Sequence, residues 1–175
     1  MPNAETPAEK GVYYSAQDRI GIGGRFLIIV VDLSIVIAAG IACIALSRKF
    51  DPGTAFLAWL IFAVTYLIVL KATPIRTLGY RLCNAKLVDM NGVTPNVLRI
   101  MCRLLLTQIG VCNPILDPFW FRLGRKRTLR DLMMGTYVVK NGAQPTGRAE
   151  IIYRQLFILS YSFMYREVKE PAESL

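Results

Sequence analysis

The 175-residue sequence contains no histidine. That removes imidazole as an acid/base group or metal ligand and leaves Asp, Glu, Lys and Tyr for any handling of protons. The four cysteines, Cys43, Cys83, Cys102 and Cys112, are widely spaced and form no CxxC pair. Such spacing fits neither a zinc site nor a disulfide framework, so they read as free thiols. The glycines of "GIGG" precede an apolar run with no strand leading in, which is not how a phosphate loop is built. No nucleophile–base pair is visible. The chain is therefore expected not to be an enzyme, with catalytic residues, metal ligands and cofactors all set at none. Internal repeats and low-complexity tracts are also missing.

Acids are scarce: 12 Asp and Glu stand against 21 Lys and Arg, a net charge of +9. So basic a chain points to nucleic acid or to a membrane surface. The apolar residues decide between them, since they form runs such as "FLAWLIFAVTYLIVL" and lift the mean hydropathy to +0.40. A soluble nucleic-acid binder does not carry such runs, and the lipid bilayer is the expected partner. The opening "MPNAETPAEKGVYYSAQD" lacks a basic region beside an apolar one. It does not read as a signal peptide, and the first span is expected to insert and stay.

Two spans stand out. Phe26–Ser47 is 22 residues with one charge, Asp32, and reaches roughly 33 Å, enough for a hydrocarbon core of ~30 Å. Thr54–Leu70 follows the Pro-Gly turn of "RKFDPGT" and ends at Lys71. Then "YRLCNAKLVD" reads as a short strand and "DMNGVTP" as a turn. A helix follows with Thr94 as N-cap and Pro95 as first residue. Residues 97–121 are apolar but broken at Asn113-Pro114 and Asp117-Pro118. From 71 to 130 the sequence has eleven Lys or Arg, on both sides of this segment, against only Asp89 and Asp117. A broken, re-entrant segment keeps both basic clusters on the cytoplasmic side, while a true third span would not. "RKRTLRDLMMG" predicts a short helix, Thr128 to Met134, ended by Gly135. The strand "TYVVK" after it is placed to pair with "AKLVD". The last apolar stretch, "IIYRQLFILSYSFMYREVK", is too short to span and reads as an interfacial amphipathic helix.

The expected fold class is thus an all-α membrane protein. It has two clear transmembrane helices and a broken, re-entrant or third membrane helix, plus a small cytoplasmic β element and amphipathic helices. Residues 1–15 would be a flexible tail, 16–140 the membrane domain, and 141–175 the amphipathic helix and tail.

Asp32 is the conspicuous residue, because insertion scales set about 2.5–3.5 kcal/mol against a charge at such depth. Arg25 lies seven residues earlier, on the same helix face but out of direct reach. The offsetting partner is expected to be an arginine from another segment: Arg99, Arg103 or Arg81. Asp117 is expected to cap the returning half of the broken helix or else to line a cavity, and Asp131 to satisfy charge within its own helix or to bond backbone amides next to the strand. Arg122, Arg125, Lys126, Arg127 and Arg130 read as a topology determinant contacting anionic lipid head groups. Nucleic acid is not expected there, since the adjacent "FWF" looks like an interfacial belt.

Three stretches together resemble the RDD family of small bacterial membrane proteins, named for one arginine and two aspartates. They are "RFLIIVVD", with Arg25 and Asp32; "TPIRTLGYRLCNAKLVDMNGVTP"; and "RKRTLRDLMMGTYVV", with Asp131. The match covers roughly residues 19–140. Two departures are Ile75-Arg76, where the family often has Gly-Lys, and Ile28, where it has a small residue. The second implies looser packing of the first span. The resemblance implies a multi-pass protein of the bacterial inner membrane, with both termini cytoplasmic. Transport is a common guess for the family, and cation/proton exchange has been proposed for some members. Two functions stay open: an oligomeric exchanger or small transporter using Asp32, or a non-catalytic scaffold or subunit of a membrane complex. A charge network of Arg25, Asp32, Arg99, Arg103, Asp117 and Asp131 would serve either one.

Overall fold

The computed structural model describes residues 9–47, 51–107, 127–158 and 161–169. The chain begins with strand β1 (Lys10–Tyr13), followed by helices α1 (Ile22–Leu46) and α2 (Pro52–Val64). α2 runs on through a π turn, Thr65–Val69, and a 3-10 turn, Leu70–Ala72. Then come α3 (Leu78–Leu82), β2 (Ala85–Asp89), α4 (Val97–Leu106), α5 (Leu129–Met134), β3 (Thr136–Lys140), β4 (Gly147–Ile158) and β5 (Tyr161–Val168).

The all-α expectation is overturned, because the molecule is mixed α/β. Its described strands form a three-stranded sheet, β1-β4-β5, and a two-stranded ribbon, β2-β3. The ribbon is the expected pairing of "AKLVD" with "TYVVK", with Leu87 opposite Val138. The three-stranded sheet comes from segments read otherwise. Part of the supposed tail pairs as β1 with the start of β4, Lys10 opposite Glu150. The supposed amphipathic helix is the antiparallel hairpin β4–β5, in register from Ile151–Val168 to Ile158–Tyr161.

The ribbon is covered on both faces, and strand alternation explains how. Val88, Tyr137 and Val139 join Val12, Tyr14, Ile151 and Val168 in a core against the larger sheet. Ala85, Leu87 and Val138 face the other way, onto Ile28, Ile68, Tyr80 and Ile100 of the helices. The strand-bearing part is therefore continuous with the packing of α1.

Two helices are long and apolar enough to cross a membrane, Ile22–Leu46 and Pro52–Ala72. At 1.5 Å per residue they reach about 37 and 31 Å. Asp51 caps the second, accepting from the Thr54 amide at 3.1 Å, and Trp59 ties the pair together by donating to the Val36 carbonyl at 3.0 Å. α1 buries Arg25, Ile28, Asp32 and Val36 on one stripe. Phe26, Val30, Leu33, Ile37, Ile41 and Ile44 lie exposed around the rest. Charge inside and hydrocarbon outside is the reverse of a water-soluble helix.

α4 starts two residues later than expected, with Asn96 as N-cap accepting from the Arg99 amide at 2.9 Å. Its continuation beyond Thr107, where the broken or third span was expected, lies outside the described residues. α5 matches its prediction, with Thr128 as N-cap and Gly135 at its end. Gly135 has φ 61°, the left-handed conformation that a side chain resists.

Candidate functional site

Asp32 is 3% exposed and is met differently from the expectation. Its cationic partner is Lys71, with Nζ 3.5 Å from Oδ2. The Thr77 hydroxyl donates to Oδ2 at 2.8 Å. Oδ1 accepts from the Gly79 amide at 3.0 Å and from the Tyr66 hydroxyl at 3.2 Å. Tyr66 in turn accepts from the Leu78 amide at 3.1 Å. The first amides of α3 thus end on a phenol and a carboxylate carried by the two spans, and Thr77, the N-cap of α3, spends its hydroxyl on the same aspartate.

Backbone geometry makes this possible. Tyr66 and Lys71 are five residues apart, which in an α-helix would set them about 140° apart around the axis. The wider π turn between them, closed by the Leu70 amide on the Thr65 carbonyl, brings both to Asp32. Such turns recur at functional sites. α3 comes close because residue 79 is glycine. A Cβ there would lie 2.6 Å from the Ile28 carbonyl and 2.7 Å from Asp32 Oδ1. The looser packing implied by Ile28 is not seen, since the close approach is made from the α3 side.

Arg25 belongs to a second centre, around Asp131, which is fully buried. Arg25 Nη1 pairs with Oδ2, and Arg103 Nη2 with Oδ1 at 2.6 Å. The Thr136 hydroxyl also reaches Oδ1, at 3.4 Å. Arg25 further donates from Nε to the Ile20 carbonyl at 3.1 Å. One carboxylate therefore ties together α1, α4 and α5. Burial alone would raise the Asp131 pKa, but Arg103, then Arg25 and Arg130, outweigh it and hold the carboxyl well below the usual range. Asp131 thus reaches beyond the local charge of its own helix, to Arg25 and Arg103 of the expected charge network.

The remaining candidates scatter. Arg99 pairs with Asp89 at 3.3 Å on the surface, 42% exposed, and takes no part in either centre. Arg81 is exposed. Arg127 and Arg130, expected at the lipid surface, are buried at 4% and 7%. Arg127 donates to the carbonyls of Asp131 and Thr136 at 3.2 and 3.0 Å, and its guanidinium lies 4.0 Å from the Tyr137 ring centre. It pins the α5–β3 corner. Asp117, Arg122, Arg125 and Lys126 lie outside the described residues.

Between the two centres is a cavity of about 370 Å³. Arg25, Lys71, Arg103, Arg130 and Asp32 supply its polar wall, and side chains such as Leu33 and Leu104 its apolar one. No family model, curated protein or solved structure matches the chain. The site itself must carry the functional reading.

Lys71, Tyr66, Thr77 and Gly79 were missed as functional residues. Lys71 read only as the end of a span, and the π turn that redirects it leaves no mark in an apolar sequence. Thr77 and Gly79 do stand inside the second of the three quoted stretches, which was the available signal. Cys83, beside them, donates its thiol to the Gly24 carbonyl at 3.4 Å. Burial and then the Asp32 charge push its pKa up, so it is a poor nucleophile.

Proposed function

We propose that the chain is an RDD-like, multi-pass protein of the bacterial inner membrane that works as a small transporter, with Asp32 exchanging a proton against its Lys71 pairing. The observation that carries this is the ion pair itself. A carboxylate two turns inside a span faces an ammonium 3.5 Å away, on the wall of a cavity. Ionisable residues at such depth are costly and mark ion and proton paths. Lys71 is 19% exposed, so it can leave the aspartate for water without unfolding the site. The reversed polarity of α1 supports the membrane setting, and the meeting of all three quoted stretches around Asp32 and Asp131 supports the resemblance.

A second reading has its own observation. Thr77, Gly79 and Tyr66 already hold Asp32 in place, as a clamp between α1 and α3 would. In that case the protein is a membrane scaffold whose charges only fix its fold. Flux in proteoliposomes separates the two, with internal pH read while an external pulse of H⁺, Na⁺ or K⁺ is applied. A transporter gives flux that Asp32→Asn and Lys71→Met abolish while both variants reconstitute folded. A scaffold gives no flux from folded wild type, and Asp32→Asn then lowers the melting temperature instead.

A further inference from the structure

The cavity between the two aspartate centres has a lining that selects one ligand chemistry. Among the described residues, four cations line its wall, Arg25, Lys71, Arg103 and Arg130, with one acid, Asp32. Asp131 stands directly behind Arg25 and Arg103. Counting both carboxylates, the described residues bring four positive charges and two negative ones together here. The sequence nearby does not reverse the sign, with eleven Lys or Arg against Asp89 and Asp117 over residues 71–130. A cavity lined by one sign of charge beside low-dielectric walls concentrates the opposite ion. Guanidinium groups suit planar and tetrahedral oxyanions in particular.

The rest of the wall is hydrocarbon, including Ile29, Leu33 and Leu104. Leu33 is 52% exposed on the outer face of α1 while it lines the cavity, so the opening lies on the side that faces acyl chains. Depth fits as well. Arg25 sits in the first turn of the span and Leu33 two turns further in, the order of headgroup and tail in a leaflet. The volume is that of a small-ligand pocket and smaller than a whole lipid.

We infer that this cavity binds an amphiphilic anion, with its phosphate or carboxylate at Arg25, Arg103 and Arg130 and its hydrocarbon tail leaving past Leu33 and Leu104. This rests on the cavity being the working site but not on proton exchange. It names the substrate class if the protein transports, and a bound lipid if it does not.

The test is calorimetric titration of the protein in neutral maltoside detergent with three probes: dodecyl phosphate below its micelle concentration, inorganic phosphate, and dodecanol. Dodecyl phosphate is expected to bind at least tenfold more tightly than either of the others. Leu104→Trp, which fills the apolar end and leaves every ion pair alone, is expected to weaken it at least tenfold with the circular dichroism spectrum unchanged. Arg130→Gln, checked in the same way for folding, is expected to bring dodecyl phosphate down to the level of dodecanol. Equal binding of phosphate and dodecyl phosphate, equal binding of dodecanol, or indifference to Leu104→Trp would each overturn the assignment. Extracting co-purified lipid separates the sources. Anionic lipid retained by wild type and lost from Leu104→Trp identifies the membrane as supplier, and its absence beside tight dodecyl phosphate binding identifies a soluble amphiphile. Because binding is read without flux, a negative flux result leaves this outcome intact.

Discussion

At Gly79 a single methyl group decides whether Asp32 keeps its partners. The added Cβ would meet the Ile28 carbonyl at 2.6 Å, and backbone cannot swing aside as a side-chain end can. Gly79→Ala is therefore expected to cost about 1–3 kcal/mol, the usual range for overpacking, read as a lower melting temperature in detergent. At Asp131 the expectation is larger. Asp131→Asn removes the carboxylate shared by Arg25 and Arg103, and breaking a buried pair costs about 3–5 kcal/mol. Its pH signature follows from the depressed pKa. The unfolded carboxyl binds its proton near pH 4 and the folded one only well below that, so the stabilisation is present above about pH 4 and fades as pH falls further. Melting temperature against pH is expected to drop below about 4 in wild type, and to lose that component in Asp131→Asn. Depth in an apolar run made Asp32 stand out in the sequence, and the three family-like stretches made Arg25 and Asp131 do so, but neither showed the pairing. Charges in a span seek the nearest opposite charge in three dimensions, and Arg25 and Asp131 are 106 positions apart.

Among the elements, the π turn Thr65–Val69 is the one whose geometry the site depends on. Deleting Leu67 would remove the extra residue and rotate all that follows by about 100°. Lys71 is then expected to leave Asp32, and the variant to match Lys71→Met in flux and melting temperature. α5 ends at Gly135 for a similar local reason. At φ 61°, with Met90 atoms 3.3 Å from a would-be Cβ, Gly135→Ala is expected to cost about 1–2 kcal/mol. α5 and the β2–β3 pairing were legible because caps, Gly135 and β-rich runs agree locally. The β4–β5 hairpin was not. Its sequence lacks a Gly, Pro or Asn turn signal at the bend and is apolar on both sides of it. Length alone then spoke for an interfacial helix, while its β-branched and aromatic residues favoured strand. β1 was hidden because four residues at the end of a polar, proline-bearing stretch carry no period of their own.

At the scale of the whole molecule, the proposed function requires the helix hairpin to cross the bilayer with the sheet-bearing part on the cytoplasmic side. The measurement for this is thiol labelling of intact cells, after replacing Cys43, Cys83, Cys102 and Cys112. A single cysteine at Pro52 is expected to be modified from outside, and one at Gly142, in the exposed turn after β3, is expected to be silent until the cells are opened. Labelling at Gly142 with Pro52 silent would place the sheets outside and reverse the orientation, and labelling at both would contradict the hairpin itself. The central claim is that the aspartate inside the first span takes up and releases a proton. Infrared difference spectroscopy of the protein in lipid, recorded between two pH values, reads that carboxyl directly. The account predicts a protonated-carboxyl band that appears on lowering the pH, disappears in Asp32→Asn and survives in Asp131→Asn. A band that never appears while the protein stays folded and carries flux would show that Asp32 holds α1 and α3 together and does nothing more.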